Sequence, residues 1–169
     1  MRTITVVQYD KRWPDIFLLD RSLIQGALGE IAKNIYHIGS TSVPDLAAKP
    51  VIDILLEVSG LNELDKLEPA MAGIGYVARG ENGIPGRRYF IKGGDRRSHQ
   101  VHAFIAGDTQ IIRHLAFRDY LIKNKEVAKE YAAIKHAAAV ISQNDVPRYS
   151  TLKADFIRHH VQLALIDMK

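Results

Sequence analysis

The residues best equipped for chemistry lie between Tyr36 and Val58, in the run YHIGSTSVPDLAAKPVIDILLEV. Gly39 is followed there by Ser40, Thr41 and Ser42. Backbone N–H groups opened by a glycine turn, together with neighbouring hydroxyls, can close on phosphate oxygens. Asp53 follows in an otherwise apolar strand, where a carboxylate can hold a divalent cation against the same phosphates. Lys49 stands just ahead of that strand, where an ammonium could meet an anionic substrate. Together these residues point to nucleotide or anion handling.

Other candidates are spread along the chain. Arg87, Arg88, Lys92, Arg96 and Arg97 surround a glycine-rich hairpin and could receive a polyanion. Arg88 and Lys92 are the candidate phosphate contacts, or else solvated hairpin cations. Arg96 and Arg97 read as edge cations that discourage strand pairing. His99 and His102 fall on opposite faces of a regular strand, so a shared metal would need a bulge between them. His102 reads as a site residue or a hydrogen-bonded core histidine, and His37, beside the Gly-Ser turn, as structural. Tyr131 and Lys135, like Tyr149 and Lys153, are four residues apart and share a helix face. Each pair could stack a base and reach a phosphate, or be a half-buried tyrosine with a lysine snorkelling past it. No P-loop and no G-x-S-x-G setting occurs. No helix combines a basic stripe with aromatics, which speaks against sequence-specific nucleic-acid binding.

The elements that must position these residues are legible in outline. The spacing of Trp13, Ile16, Phe17, Leu23, Ile24, Ala27 and Leu28 predicts a helix over 13–28, with Pro14 in its first turn. Strands are predicted over 3–8, 34–38, 51–58, from about 75, over 88–92 and over 100–105. Parity puts Asp53, Leu55 and Glu57 on one face of the 51–58 strand and Ile52, Ile54, Leu56 and Val58 on a core face. A helix over 61–73 is bent or ended near Pro69. Asp108 caps a helix to about Lys123, Asn124 the next to about Ser142, and a last helix runs from about Tyr149 to Asp167. Strands and helices come first and three helices close the chain, an α+β order within one domain, 1–169. Apolar residues make up 47% and charged residues 25% of the 169 residues, as in ordinary globular chains. Cysteine is absent, which removes disulfides, thiolate metal sites and a cysteine nucleophile. No long apolar run suits a membrane span, the opening segment lacks the apolar core of a signal peptide, and a cytoplasmic location is expected. The net charge of +4 fits an anionic small molecule as well as a nucleic acid.

The stretch HIGSTSVPDLAAKPVIDI resembles the defining segment of the GrpB (UPF0157) family, grouped with the nucleotidyltransferase superfamily. The resemblance continues through VVQYDKRWP, PGRRYF, SHQVHAF, HLAFRDYL, YAAIKH and YSTLKADFI, nearly the whole chain. It implies a minimal nucleotidyltransferase-like mixed sheet flanked by helices, with a helical C-terminal half. The superfamily pattern is Gly-Ser, then a strand with two acids two residues apart, then a third acid on a neighbouring strand. Gly39, Ser40 and Asp53 match it. Leu55 stands at the second acid position, and Glu57 is about 13 Å along the strand from Asp53. His102 is the counterpart of the third acid. An Asp-His pair suits Mn²⁺ or Zn²⁺ better than Mg²⁺. The implied function is nucleotidyl transfer from a nucleoside triphosphate to an acceptor. In it, Asp53 holds the divalent metal, and His102 completes the metal shell or acts as base. Gly39, Ser40, Thr41, Ser42, Lys49, Arg88, Lys92, Tyr131, Lys135, Tyr149 and Lys153 contact the nucleotide. The alternative is a non-catalytic nucleotide- or anion-binding module that has lost the second acid.

Overall fold

The computed structural model describes residues 4–168. Helix α1, Trp13–Leu28, has Pro14 in its first turn and ends at Gly29, whose φ of 62° a side chain would strain. Its buried residues Trp13, Phe17, Ile24 and Leu28 lie on one stripe and pack on Ile52, Ile54, Leu56 and Val58. Those four are the even positions of strand β2, Ile52–Val58, so the core face expected from parity is the one observed.

Among the described residues five strands form one mixed sheet. The others are β1 (Ala32–Ile38), β3 (Val77–Ala78), β4 (Arg88–Lys92) and β5 (His99–Ile105). Their order is β1-β2-β5-β4-β3, with β2 and β5 parallel and the remaining neighbours antiparallel. Helices α2 (Leu61–Lys66) and α3 (Glu68–Gly73) carry the crossover between β2 and β3. The chain breaks at Leu67, and Pro69 opens α3 rather than bending one long helix.

Helices α4 (Thr109–Lys123), α5 (Lys125–Ser142) and α6 (Val146–Asp167) form the helical half. The Asp108 carboxylate accepts from Gln110 N at 2.8 Å and starts α4. Asn124 precedes α5 but its side chain donates to the Tyr120 carbonyl instead of capping. Helix α6 begins three residues before the expected start, because Asp145 accepts from Arg148 N and Pro147 fits the first turn. The second face of the sheet is covered here: Leu55 and Phe104 pack with Ile38 and Ile111. Val43 and Leu46, just past the Gly-Ser turn, pack with Leu121, Ala128 and Tyr131. The helical half therefore clamps the loop that carries the candidate residues.

The predicted strand over 3–8 is not a strand. Thr3 lies outside the described residues, and 4–8 makes one bridge, Val7 with Ala48, through two 2.9 Å hydrogen bonds. Its β-branched residues lack a partner segment long enough to extend that pairing.

On the α1 side, Asp20 is buried and gathers three groups. Tyr76 donates to its Oδ2 at 2.5 Å, Lys92 Nζ lies 3.0 Å from the same oxygen, and His99 Nε2 faces Oδ1 at 3.4 Å without hydrogen-bond alignment. Asp20→Asn keeps an acceptor for Tyr76 but removes the charge opposite Lys92. It is expected to cost about 1–3 kcal/mol in urea denaturation, whereas an unchanged midpoint would show that the cluster adds nothing net.

Candidate functional site

Strand pairing brings the candidate residues into two rows. Asp53 is level with Gln100, and Gln100 with Ile91. Leu55 is level with His102, and His102 with Tyr89. Ile38 at the end of β1 pairs with Asp53, so the next residue, Gly39, turns beside the Asp53 side chain. Gly39 has φ 71°, and a Cβ there would lie 2.6 Å from Asp53 Oδ2. Both the backbone and the contact require glycine. Ser40–Ser42 then form a short 3-10 turn. Ser42 Oγ donates to the Gly39 carbonyl and Thr41 Oγ1 bonds His37 Nε2 at 2.9 Å, so these hydroxyls hold the turn itself. Ser40 is partly buried beside the Tyr131 hydroxyl. His37 stacks on Phe17 with ring centres 4.9 Å apart. Burial, aided by Arg118 and opposed by Asp53, pushes its pKa down to about 4, which keeps the ring neutral.

Asp53 is held from two sides. His102 Nε2 lies 3.2 Å from Oδ1. With its amide group turned toward the carboxylate, Gln100 donates to Oδ1 at 3.0 Å and accepts from Tyr89 and Arg97 at 3.2 Å each. Burial opposes ionisation of Asp53, but the His102 contact and the nearby Lys153 and Lys49 charges outweigh it and lower the pKa. His102 Nδ1 lies 3.3 Å from Arg87 Nη1. A guanidinium only donates, so Nδ1 accepts and the ring proton sits on Nε2, directed at Asp53. Arg87 is itself fixed by the Glu81 and Asn82 carbonyls at 3.1 and 2.8 Å.

This donor set does not fit a catalytic divalent cation. The histidine lone pair is committed to Arg87, and its proton occupies the side facing Asp53. The second acid position is Leu55, fully buried under α4. Among the described residues no group of three or more His, Asp or Glu side chains converges. Mg²⁺ and Mn²⁺ favour several oxygen ligands, and Asp53 supplies the only carboxylate here. His99 lies on the opposite sheet face against Asp20, so the two histidines do not share a metal.

Beside Asp53 opens a cavity of about 510 Å³. Five cationic residues line it, Lys49, Arg79, Arg97, Lys135 and Lys153, against one carboxylate, Asp53. Lys49 and Lys153 place their ammonium groups 4.8 and 4.6 Å from the Tyr149 ring centre. Lys135 is 1% exposed, donates to the Ala47 carbonyl at 2.5 Å and lies 4.7 Å from the Tyr131 ring centre. Burial, then repulsion from Lys153 and Lys49, pushes the Lys135 pKa down to about 7. Burial and Lys49 push Lys153 down to about 8.

The structure thus brings together Gly39, Ser40, Thr41, Lys49, Asp53, Lys135, Tyr149 and Lys153, with His102 and Tyr131 adjoining. It does not bring in Arg88 and Lys92. Arg88 pairs with Asp65 at 2.8 Å and Lys92 with Asp20, both on the other face of the sheet. The reason is strand parity: Arg88 and Lys92 share a face with Phe90 of the α1-side core, while Tyr89 and Ile91 face the cavity. Arg97, read as an edge cation, lines the cavity instead, as do Arg79 and Gln100. The face of Arg88 and Lys92 is set by Phe90 between them, which is buried in the α1-side core. No local pattern marks Arg79 or Gln100.

The sheet order, the turn beside Asp53 and the helical half define a nucleotidyltransferase-type fold. Cid1, described with RNA terminal uridylyl transferase activity, matches with a TM-score of 0.57 at 16% identity, over 87% of this chain and 49% of that one. The family profile described as GrpB protein matches residues 3–163, and the chain belongs to that family. The crystal structure of conserved protein GrpB from Enterococcus faecalis has a TM-score of 0.93 at 38% identity, covering 97% of this chain and 99% of that one. UPF0157 protein YqkA of Bacillus subtilis (strain 168) is 40% identical over 157 residues, 93% of this chain and 46% of that protein. The chain therefore spans less than half the length of this relative. No described helix is long and apolar enough to cross a membrane.

Proposed function

We propose that this GrpB-family chain is a cytoplasmic binding module for a nucleoside triphosphate or a similar polyanion, acting without a divalent cation and without turnover. One observation carries the reading: five basic side chains and one carboxylate line the cavity beside the Gly39–Ser40 turn. Lys49 and Lys153 stand over Tyr149, and a polyanion between them would relieve their mutual repulsion. Asp53, neutralised locally by those lysines and hydrogen-bonded by His102 and Gln100, orients the ligand rather than a metal. A second reading, metal-dependent nucleotidyl transfer, draws support from Asp53 lying against Gly39 on this fold.

Thermal unfolding against nucleoside triphosphates, each with Mg²⁺, Mn²⁺ or EDTA, separates the two. A ligand at a hundred times its dissociation constant adds about 2.7 kcal/mol to the folded state. The binding reading expects that stabilisation to persist in EDTA. A shift that appears only with metal would favour transfer, and no shift with any nucleotide would sink both.

A further inference from the structure

A second cavity, of about 300 Å³, adjoins the first. The two share Ser40, Asp53, Gln100 and Lys153, so they meet at the Asp53 carboxylate. The first is cationic. The second is walled by Ile38, Phe117, Leu121 and Ile157, with His114 at its side. Burial and the neighbouring His102 hold the His114 pKa down at about 4, so that wall is uncharged at neutral pH. Arg118, which also borders the cavity, is engaged by Asp119 at 2.9 Å and by the His37 carbonyl at 3.2 Å. Apolar and aromatic walls with a few fixed polar groups are what ring-bearing ligands occupy.

The tyrosines whose spacing suggested base stacking are already covered. Tyr131 stacks on Phe156 at 5.1 Å between ring centres, takes the edge of Phe117, and has Lys135 near its ring. Tyr149 is fully buried, with Lys49 and Lys153 near its ring. Tyr131 still borders the smaller cavity, but an incoming ring meets mainly its aliphatic and Phe117 walls.

Building on the polyanion reading above, we infer that the smaller cavity receives an uncharged heteroaromatic ring of the same molecule whose phosphates occupy the larger one. The hydroxyl-bearing linker between ring and phosphates then crosses Asp53, whose carboxylate accepts its O–H groups. The ligand class is a phosphorylated nucleoside. Asp53 selects it over simple polyphosphate through those hydroxyls, with no metal between them.

The test is isothermal titration, in EDTA, of inorganic tripolyphosphate, ATP and UTP into wild type and Ile157→Trp. Ile157 is partly buried on α6, and an indole there fills the smaller cavity. At least one nucleotide is expected to bind wild type about tenfold or more tightly than tripolyphosphate, although it carries less charge. Ile157→Trp is expected to abolish that advantage while leaving tripolyphosphate unchanged. The dideoxy counterpart of the preferred nucleotide is expected to lose part of it in wild type. Should Ile157→Trp melt below the assay temperature, Phe117→Ala, which strips one wall, carries the same comparison. Equal affinities for nucleotide and tripolyphosphate, or an advantage that survives the cavity variants, would overturn the ring site. A dideoxy nucleotide that binds as well as its parent would overturn the role given to Asp53. Tripolyphosphate that fails to bind wild type would sink the polyanion reading itself, and this inference with it.

Discussion

Leu55→Asp is expected to cost about 3–5 kcal/mol of stability and to create no affinity for Mg²⁺ or Mn²⁺. By sequence this is the substitution that would complete a superfamily acid pair, two residues beyond Asp53 on the same strand face. In the folded chain Leu55 is fully buried, packed against Ile38, Phe104 and Ile111 beneath α4. A carboxylate there faces these apolar groups, and the neighbouring His102 is already engaged by Asp53 and Arg87. Domains of this kind are stable by about 5–15 kcal/mol, so the loss is a large fraction of the total. Leu55→Ala, which leaves a cavity without a charge, calibrates the packing part at about 2–5 kcal/mol. Urea denaturation of both variants, with and without Mn²⁺, is the measurement. A Leu55→Asp protein as stable as wild type, and further stabilised by Mn²⁺, would mean that the position opens to the site. The binding reading would then give way to an eroded enzyme site. The expected result instead attributes the missing acid to the helical half, which has turned that part of the sheet into core.

What the sequence disclosed follows the range of the interactions involved. Helix α1 was legible to its end residues, because Pro14, the apolar stripe and Gly29 are all local signals. The core face of β2 was legible from parity, and so was the closeness of Gly39, Ser40 and Asp53, since the turn leaves one strand and the acid lies on the next. Parity also sets the face of Arg88 and Lys92, which they share with the buried Phe90. Register between distant strands was not legible. Nothing local places Gln100 level with Asp53, or reveals that Arg87 takes the Nδ1 lone pair of His102. The Tyr-x-x-x-Lys pairs do share helix faces, and their lysines do reach the cavity. Their rings border the two cavities but with their faces already occupied, because tertiary packing covers Tyr131 with Phe156 and buries Tyr149 beside Ile4 and Ala138. Local spacing sets which residues can act together, and only the packing decides which part of each is left to act.

Raising the pH from about 7 to about 9 is expected to stabilise the ligand-free protein while weakening its hold on polyphosphate. Both effects come from the same lysines. In the folded chain Lys135 is pushed down to about 7 by burial and by repulsion from Lys153 and Lys49, and Lys153 to about 8 by burial and by repulsion from Lys49. In the unfolded chain lysines keep their protons to about pH 10.4. Between these limits the unfolded state binds more protons than the folded one, so folding becomes more favourable as pH rises and the penalty of one buried and one partly buried charge is lifted. A bound polyanion reverses the preference, because it is attracted to the ammonium forms. Binding then takes up protons, and affinity falls by up to about tenfold per pH unit for each lysine that must be recharged. Calorimetric titration of tripolyphosphate in two buffers of different ionisation enthalpy counts those protons directly. Lys153→Met is expected to weaken binding at about pH 7, to lower the proton uptake, and to flatten both pH profiles. General surface charge cannot imitate this pattern. The loss of positive charge toward the isoelectric point near 9.3 would also weaken polyanion binding at high pH, but Lys153→Met would not flatten it. Affinity that does not change between these pH values, or protons released on binding, would remove Lys135 and Lys153 from the anion site. A profile that moves with Lys153 ties the depressed basicity of these lysines to the ligand they are arranged to hold.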